Sequence, residues 1–163
     1  MQKRDAYSVY LIFSGGTALL FNLIFTVNMV YQAVIVGLSP LQLVLVGTTL
    51  EVAAFIFEVP TGIVADVYSR RLSVIIGLVL VGIGFMVEGS LPVFWAVLLA
   101  QVIWGLGSTF ISGAGSAWLV DEIGEERATQ AFLRSSQVSQ IAGLVGIGLS
   151  ALLAALYFTQ LPV

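Results

Sequence analysis

The chain has 163 residues, 59% of them hydrophobic and only 9% charged, with a net charge of -3 and a mean hydropathy of +1.06. A soluble domain carries about 25% charged residues, so this composition cannot cover a water-facing surface, and six basic residues are too few for a patch that tracks nucleic-acid phosphates. The chain has no cysteine and no histidine, which removes disulfides, thiolate nucleophiles and the commonest catalytic base and metal ligand.

A membrane-spanning helix needs about 20 predominantly apolar residues. Met1-Gln-Lys-Arg-Asp5 imitates the basic end of a signal peptide, but the apolar run behind it exceeds the roughly 7–15 residues of a signal core, so it reads as a retained helix. From Ala6 to Leu50 there is no charged residue, and Gly37-Leu-Ser-Pro40 is the only turn chemistry inside that run. The pattern predicts a first helix over 7–31 and a second over 41–65. A third covers 72–91 and closes at Glu88-Gly-Ser-Leu-Pro92. A fourth fills the uncharged stretch 93–120. Asp121-Glu-Ile-Gly-Glu-Glu-Arg127 reads as a charged turn, and a fifth helix follows over 131–158. The fold class expected is an all-α polytopic membrane protein of five transmembrane helices with no soluble domain. A β-barrel would instead show ten-residue alternating segments.

Charge sets the expected orientation. Lys3 and Arg4 precede helix one, Arg70 and Arg71 lie between helices two and three, and Arg127 and Arg134 lie around the start of helix five. All the basic residues thus fall on one side, which the positive-inside rule makes the cytoplasm. The N-terminus is expected inside and Thr159-Gln-Leu-Pro-Val163 outside.

The segment Glu58-Val-Pro-Thr-Gly-Ile-Val-Ala-Asp-Val-Tyr-Ser-Arg-Arg71 joins helices two and three. Taken as residues alone, Asp66 and Arg70 are either a solvated helix end with topogenic arginines or a working ion pair. The spacing Gly62-x-x-x-Asp66-x-x-x-Arg70-Arg71 resembles the signature loop of the major facilitator superfamily of transporters. Val67 stands where that pattern usually has a basic residue, and Ser69 where it usually has glycine. The resemblance implies a half-domain of six helices built from two inverted three-helix repeats. Five helices make an incomplete six-helix half. The chain, 1–163, is therefore expected to be the N-terminal part of a longer protein that needs a C-terminal half or a partner subunit. It also implies a conformational latch of Gly62, Asp66, Arg70 and Arg71, in which the glycine admits a helix of the other half and the aspartate caps that helix. Asp121 would join the latch from the same membrane face, the alternative being a plain helix cap. Ser112-Gly-Ala-Gly-Ser-Ala-Trp-Leu-Val-Asp121 and the Glu-x-Pro-Thr-Gly lead-in at Glu58 look like bacterial multidrug-type efflux members.

Glu51 and Glu58 lie seven residues apart in helix two, on one face and about 10 Å apart. An ionisable residue inside a span is costly unless it faces a cavity or partner, so Glu51 is a candidate proton or cavity site. The competing reading is a purely structural hydrogen bond, which Glu58 fits better. In helix four, Gln101, Gly105, Ser108, Ser112 and Gly115 share a face that suits close packing or a cavity lining. Many proton-linked relatives carry an arginine where Gln101 stands. Helix one shows Gly15, Ala18, Asn22, Phe25, Met29 and Gln32, with Asn22 and Gln32 as candidate substrate contacts. Helix five shows Ser139, Gly143, Gly146, Ser150 and Ala154, a packing face without the glycine–proline motif of antiporters.

No nucleophile elbow, phosphate-binding loop or metal-ligand cluster occurs, so an enzyme, a metal and a cofactor are not expected. The function expected is secondary active transport of a small molecule by alternating access, with drug-like efflux as the finer expectation and a proton as candidate second ligand. The alternative is a non-transporting five-helix scaffold or a subunit of a larger membrane complex. The partners expected are a small-molecule substrate and the lipid bilayer, with no nucleic acid, in a bacterial inner membrane.

Overall fold

A computed structural model describes the backbone of residues 3–158 and the side chains of residues 6–156. The side chains of Lys3 and Arg4, on which the expected orientation partly rests, and the terminal Thr159–Val163 lie outside the described residues. The elements are helical throughout: α1 (Lys3–Val30), a π-helical turn (Tyr31–Ile35), α2 (Pro40–Val67), α3 (Arg70–Ser90), α4 (Phe94–Ile111), α5 (Ala114–Ile123) and α6 (Glu125–Phe158). No strand occurs among the described residues. Five stretches are long and apolar enough to cross a membrane, the fourth made of α4 and α5 together.

Three boundaries depart from the sequence pattern, each for a local reason. The first span continues through the π turn to Ile35 before the chain breaks at Gly37. The fourth span is interrupted at Ser112–Gly113, where Gly113 takes a φ of 73°, a left-handed conformation that glycine reaches without a Cβ clash. The segment read as a charged turn is almost wholly helical. Gly124, with φ 82°, is the single residue between α5 and α6, and its N–H caps Val120 O at 2.8 Å. Glu125 and Glu126 then fill the first turn of α6, where the helix dipole favours negative charge.

The starts of α2 and α3 follow from capping. Ser39 precedes Pro40 and forms a reciprocal box with Gln42, whose side chain accepts from Ser39 N–H at 2.9 Å. Ser69 caps α3 by accepting from Leu72 N–H at 3.3 Å.

The chain divides into two compact units, residues 1–31 with 119–163, and residues 32–118. In the first, α1 packs along α6. Gly146 lies against the main chain of Leu19 and Leu23, and Tyr10 meets Phe132 edge-on at 5.7 Å between ring centroids. In the second, α4 packs on both α3 and α2. A Cβ on Gly77 would fall 2.6 Å from Gly107 O, so α3 and α4 touch backbone to backbone there. The Ser73 hydroxyl donates to Phe110 O at 2.8 Å across the same pair. Gly105 sits against Leu50–Ala54 of α2, where a Cβ would lie 2.8 Å from that of Ala53. Buried Leu38, Val46 and Val97 form an apolar cluster where the start of α2 meets the start of α4.

Candidate functional site

The second unit carries most of the ionisable residues that the sequence placed at or inside its spans. At its charged end, α2 runs out at Val67 and α3 begins at Arg70, so only Tyr68 and Ser69 connect them. Asp66 Oδ1 lies 3.7 Å from Arg70 Nη2, in the i, i+4 relation expected of that spacing. The Asp66 side chain is 73% exposed and that of Arg70 32%. Arg70 also donates from Nη1 to Ala117 O at 3.2 Å, tying the turn to α5. Arg71 is exposed beside it. Gly62, one turn before Asp66, is exposed, and a Cβ there would meet nothing within 4 Å. Asp121, four residues beyond Ala117 on α5, belongs to the first unit and is exposed.

Further along α2, Pro60 interrupts the helix ladder because it has no N–H to donate. That leaves Ile56 O without its i+4 donor; the neighbouring Thr61 hydroxyl donates to Phe57 O at 2.8 Å. Preceding this point, Glu51 and Glu58 share an open recess of about 400 Å³ with Ser108, Thr109 and Ser112 of the facing helix. Both carboxylates are exposed. The helix-four face therefore does two things along its length. Gly105 closes against α2, while Ser108 and Ser112 line the recess of the two glutamates, the Ser108 hydroxyl donating to Gly105 O at 2.8 Å. Such a surface, two carboxylates and three hydroxyls, offers mostly acceptors and suits a proton or a cationic group.

Gln32 and Gln101 are both buried, and both point at Glu88, at the close of the third span. Gln32 Nε2 donates to Glu88 Oε1 at 2.7 Å, and Gln101 Nε2 to Glu88 Oε2 at 3.4 Å. Glu88 lies in a helix, as the expected span over 72–91 has it. It is 5% exposed, inside the last full turn of α3. A signal was present, since Glu88 is the single charged residue from Leu72 to Val120.

Asn22 lies in the first unit. Its Nδ2 donates to Ala18 O at 2.8 Å, and it borders a shallow groove of about 510 Å³ with Ser136, Ser139 and Gln140 of α6. This groove has no charged lining residue. Among the described residues no group of acidic residues could hold a metal ion.

Comparison with known proteins gives this arrangement a family. The chain is 31% identical over 98 residues to the uncharacterized MFS-type transporter YxaM of Bacillus subtilis, covering 60% of this chain and 25% of the relative. It is 29% identical over 96 residues to an uncharacterized transporter of Buchnera aphidicola, covering 59% and 24%. It is 24% identical over 143 residues to the inner membrane protein YqcE of Escherichia coli, covering 86% and 32%. The chain thus spans about a quarter to a third of the length of these relatives. No solved structure matches it. The family model for the Major Facilitator Superfamily matches residues 9–162, which takes in all five spans and the Gly62–Arg71 turn, and the chain belongs to that superfamily.

Proposed function

We propose that the chain forms the N-terminal portion of a secondary active transporter that exports small drug-like molecules by alternating access. The observation that carries this reading is the recess shared by Glu51 and Glu58 with Ser108, Thr109 and Ser112. Two carboxylates on a membrane-spanning helix are costly to insert, and an open polar recess is what makes them useful. In this reading they take the proton or the cationic part of the substrate. The substrate reaches a central site completed by a C-terminal half, and the two halves rock about it.

The turn at Asp66 and Arg70 supplies the latch. Exposed ion pairs contribute about 0.2–1 kcal/mol, weak enough to break and re-form in each cycle. Arg70 holds Asp66 and the α5 main chain together, so the turn moves with α5 rather than alone. The open face at Gly62 suits close approach by a helix of the other half, and Asp121 on α5 is a further candidate member of the latch. The N-terminus is cytoplasmic in this scheme, in a bacterial inner membrane, and no enzymatic step is involved.

The test is ethidium efflux by the full gene product in inverted membrane vesicles. Glu51→Gln is expected to cut efflux about tenfold, equivalent to about 1.4 kcal/mol, with unchanged insertion. Flux equal to the parent, together with higher thermal stability, would mean that the recess is not a transport site and the protein is a scaffold.

A further inference from the structure

Glu88 and its two glutamine partners form a site separate from the latch and from the Glu51–Glu58 recess. Three segments meet there: the π turn, the last turn of α3, and α4. Gln32 is anchored at both ends, since its main-chain carbonyl accepts from Leu38 N–H at 3.0 Å while its side chain reaches Glu88. Leu38 and Val97 belong to the apolar cluster, and Val97 lies one helical turn from Gln101 on the same face of α4. The triad is therefore shielded from water on that side.

The identity of the partners matters more than their number. Lysine and arginine can only donate, so they would fix a carboxylate in its charged form. A glutamine amide carries a donor and an acceptor on one rotatable group. Facing an ionised Glu88, both amides present N–H. Facing a protonated Glu88, one amide can rotate by half a turn and accept from the new O–H. The two bonds are unequal. The 2.7 Å contact of Gln32 is at the short end of the usual N–H···O range, and the 3.4 Å contact of Gln101 lies beyond its upper limit of about 3.2 Å. Oε2 is thus the oxygen held less firmly.

We propose that Glu88 is a reversible proton-binding site. A proton from water adds to Oε2, the Gln101 amide reverses to accept it, and Gln32 stays on Oε1. Hydronium gives up that proton and becomes water, and the Gln101 N–H···Oε2 hydrogen bond is exchanged for Oε2–H···O=C to the same amide; no other bond changes. The neighbouring elements offer little competing charge. Residues 32–50 carry no Asp, Glu, Lys or Arg, and neither does α4. On α3, Arg70 and Arg71 sit at the opposite end, about 27 Å away along the axis. On α2, Glu51 and Glu58 line their own recess, and Asp66 lies at the far end beside Arg70. Protonation changes one hydrogen bond between α3 and α4 while leaving the π turn tethered. Use of this site in coupling rests on the transporter reading, but proton binding itself does not.

Infrared difference spectra of the full gene product in lipid, recorded as pH is lowered, test the site directly. The expected result is a carboxylic-acid carbonyl band that grows on acidification and is lost in Glu88→Gln. The same band should move in Gln101→Leu, where the O–H has lost its acceptor. Should Glu88→Gln fail to fold, the shift in Gln101→Leu decides the matter. Titrating bands that survive intact in Glu88→Gln, or a band unmoved in Gln101→Leu, would overturn the proposal. Because no transport is measured, a protein inactive in efflux can still pass.

Discussion

Two sets of carboxylates lie in one unit and differ in almost everything but residue type. Glu51 and Glu58 are exposed beside hydroxyls in an open recess, whereas Glu88 is buried and held by two amides. Gly105 stands between them along α4, closed on Leu50–Ala54 of α2. The contrast teaches that distance from the ends of an apolar run is a poor guide to burial. Glu51 is central in its helix and open to the outside of the chain. Glu88 is nearly terminal in its helix and sealed. What decides burial is which side of a helix faces a neighbour, and close glycine contacts fix that.

The largest expected effect separates the two sets by stability. Glu88→Ala removes the acceptor of two buried amides and should cost about 3 kcal/mol in unfolding measurements. Glu51→Ala should stay within about 0.5 kcal/mol of the parent. Equal losses for both would erase the distinction. The wall itself comes next. Gly105→Ala places a Cβ against the α2 main chain, so overpacking should destabilise by about 2 kcal/mol, read as a lower thermal midpoint. Gly62→Ala meets nothing within 4 Å among the described residues and should gain up to about 1 kcal/mol from helix propensity. Its efflux should nevertheless fall if another helix packs there, and unchanged efflux would remove Gly62 from the latch. The smallest effect belongs to the exposed ion pair. Asp66→Asn should leave stability within about 1 kcal/mol and slow ethidium efflux roughly threefold. Unimpaired flux would leave Asp66 and Arg70 as an ordinary helix end.

The membrane class and the five spans were legible because hydropathy is a property of composition summed over a whole helix, which tertiary packing cannot alter. The turn at Gly62–Arg71 was legible because its spacing is local: Asp66 and Arg70 are one helical turn apart, and their contact needs no other part of the fold. The breaks were harder. Gly113 and Gly124 are two glycines among many, and nothing nearby distinguishes those that take a positive φ. The Glu88 triad was illegible for a different reason. Gln32, Glu88 and Gln101 come from three segments, and only the packing of α3 on α4, with the π turn beside them, joins them. Gln32 and Gln101 stood out as polar residues on apolar faces, and Glu88 marked the close of the third helix, but nothing local in the chain links the three.

The connection between α5 and α6 has a mechanical consequence. With Gly124 as the one intervening residue, the Cα atoms of Ile123 and Glu125 can never be more than about 7 Å apart. A slide of one helix past the other by a full turn, about 5.4 Å, would exhaust nearly all of that reach. The joint acts as a pivot: it permits swing and twist and forbids translation. Whatever displaces α5 must therefore reach the long lever of α6 as an angle, and a small rotation at Gly124 grows into a large sweep at the far end of a 34-residue helix.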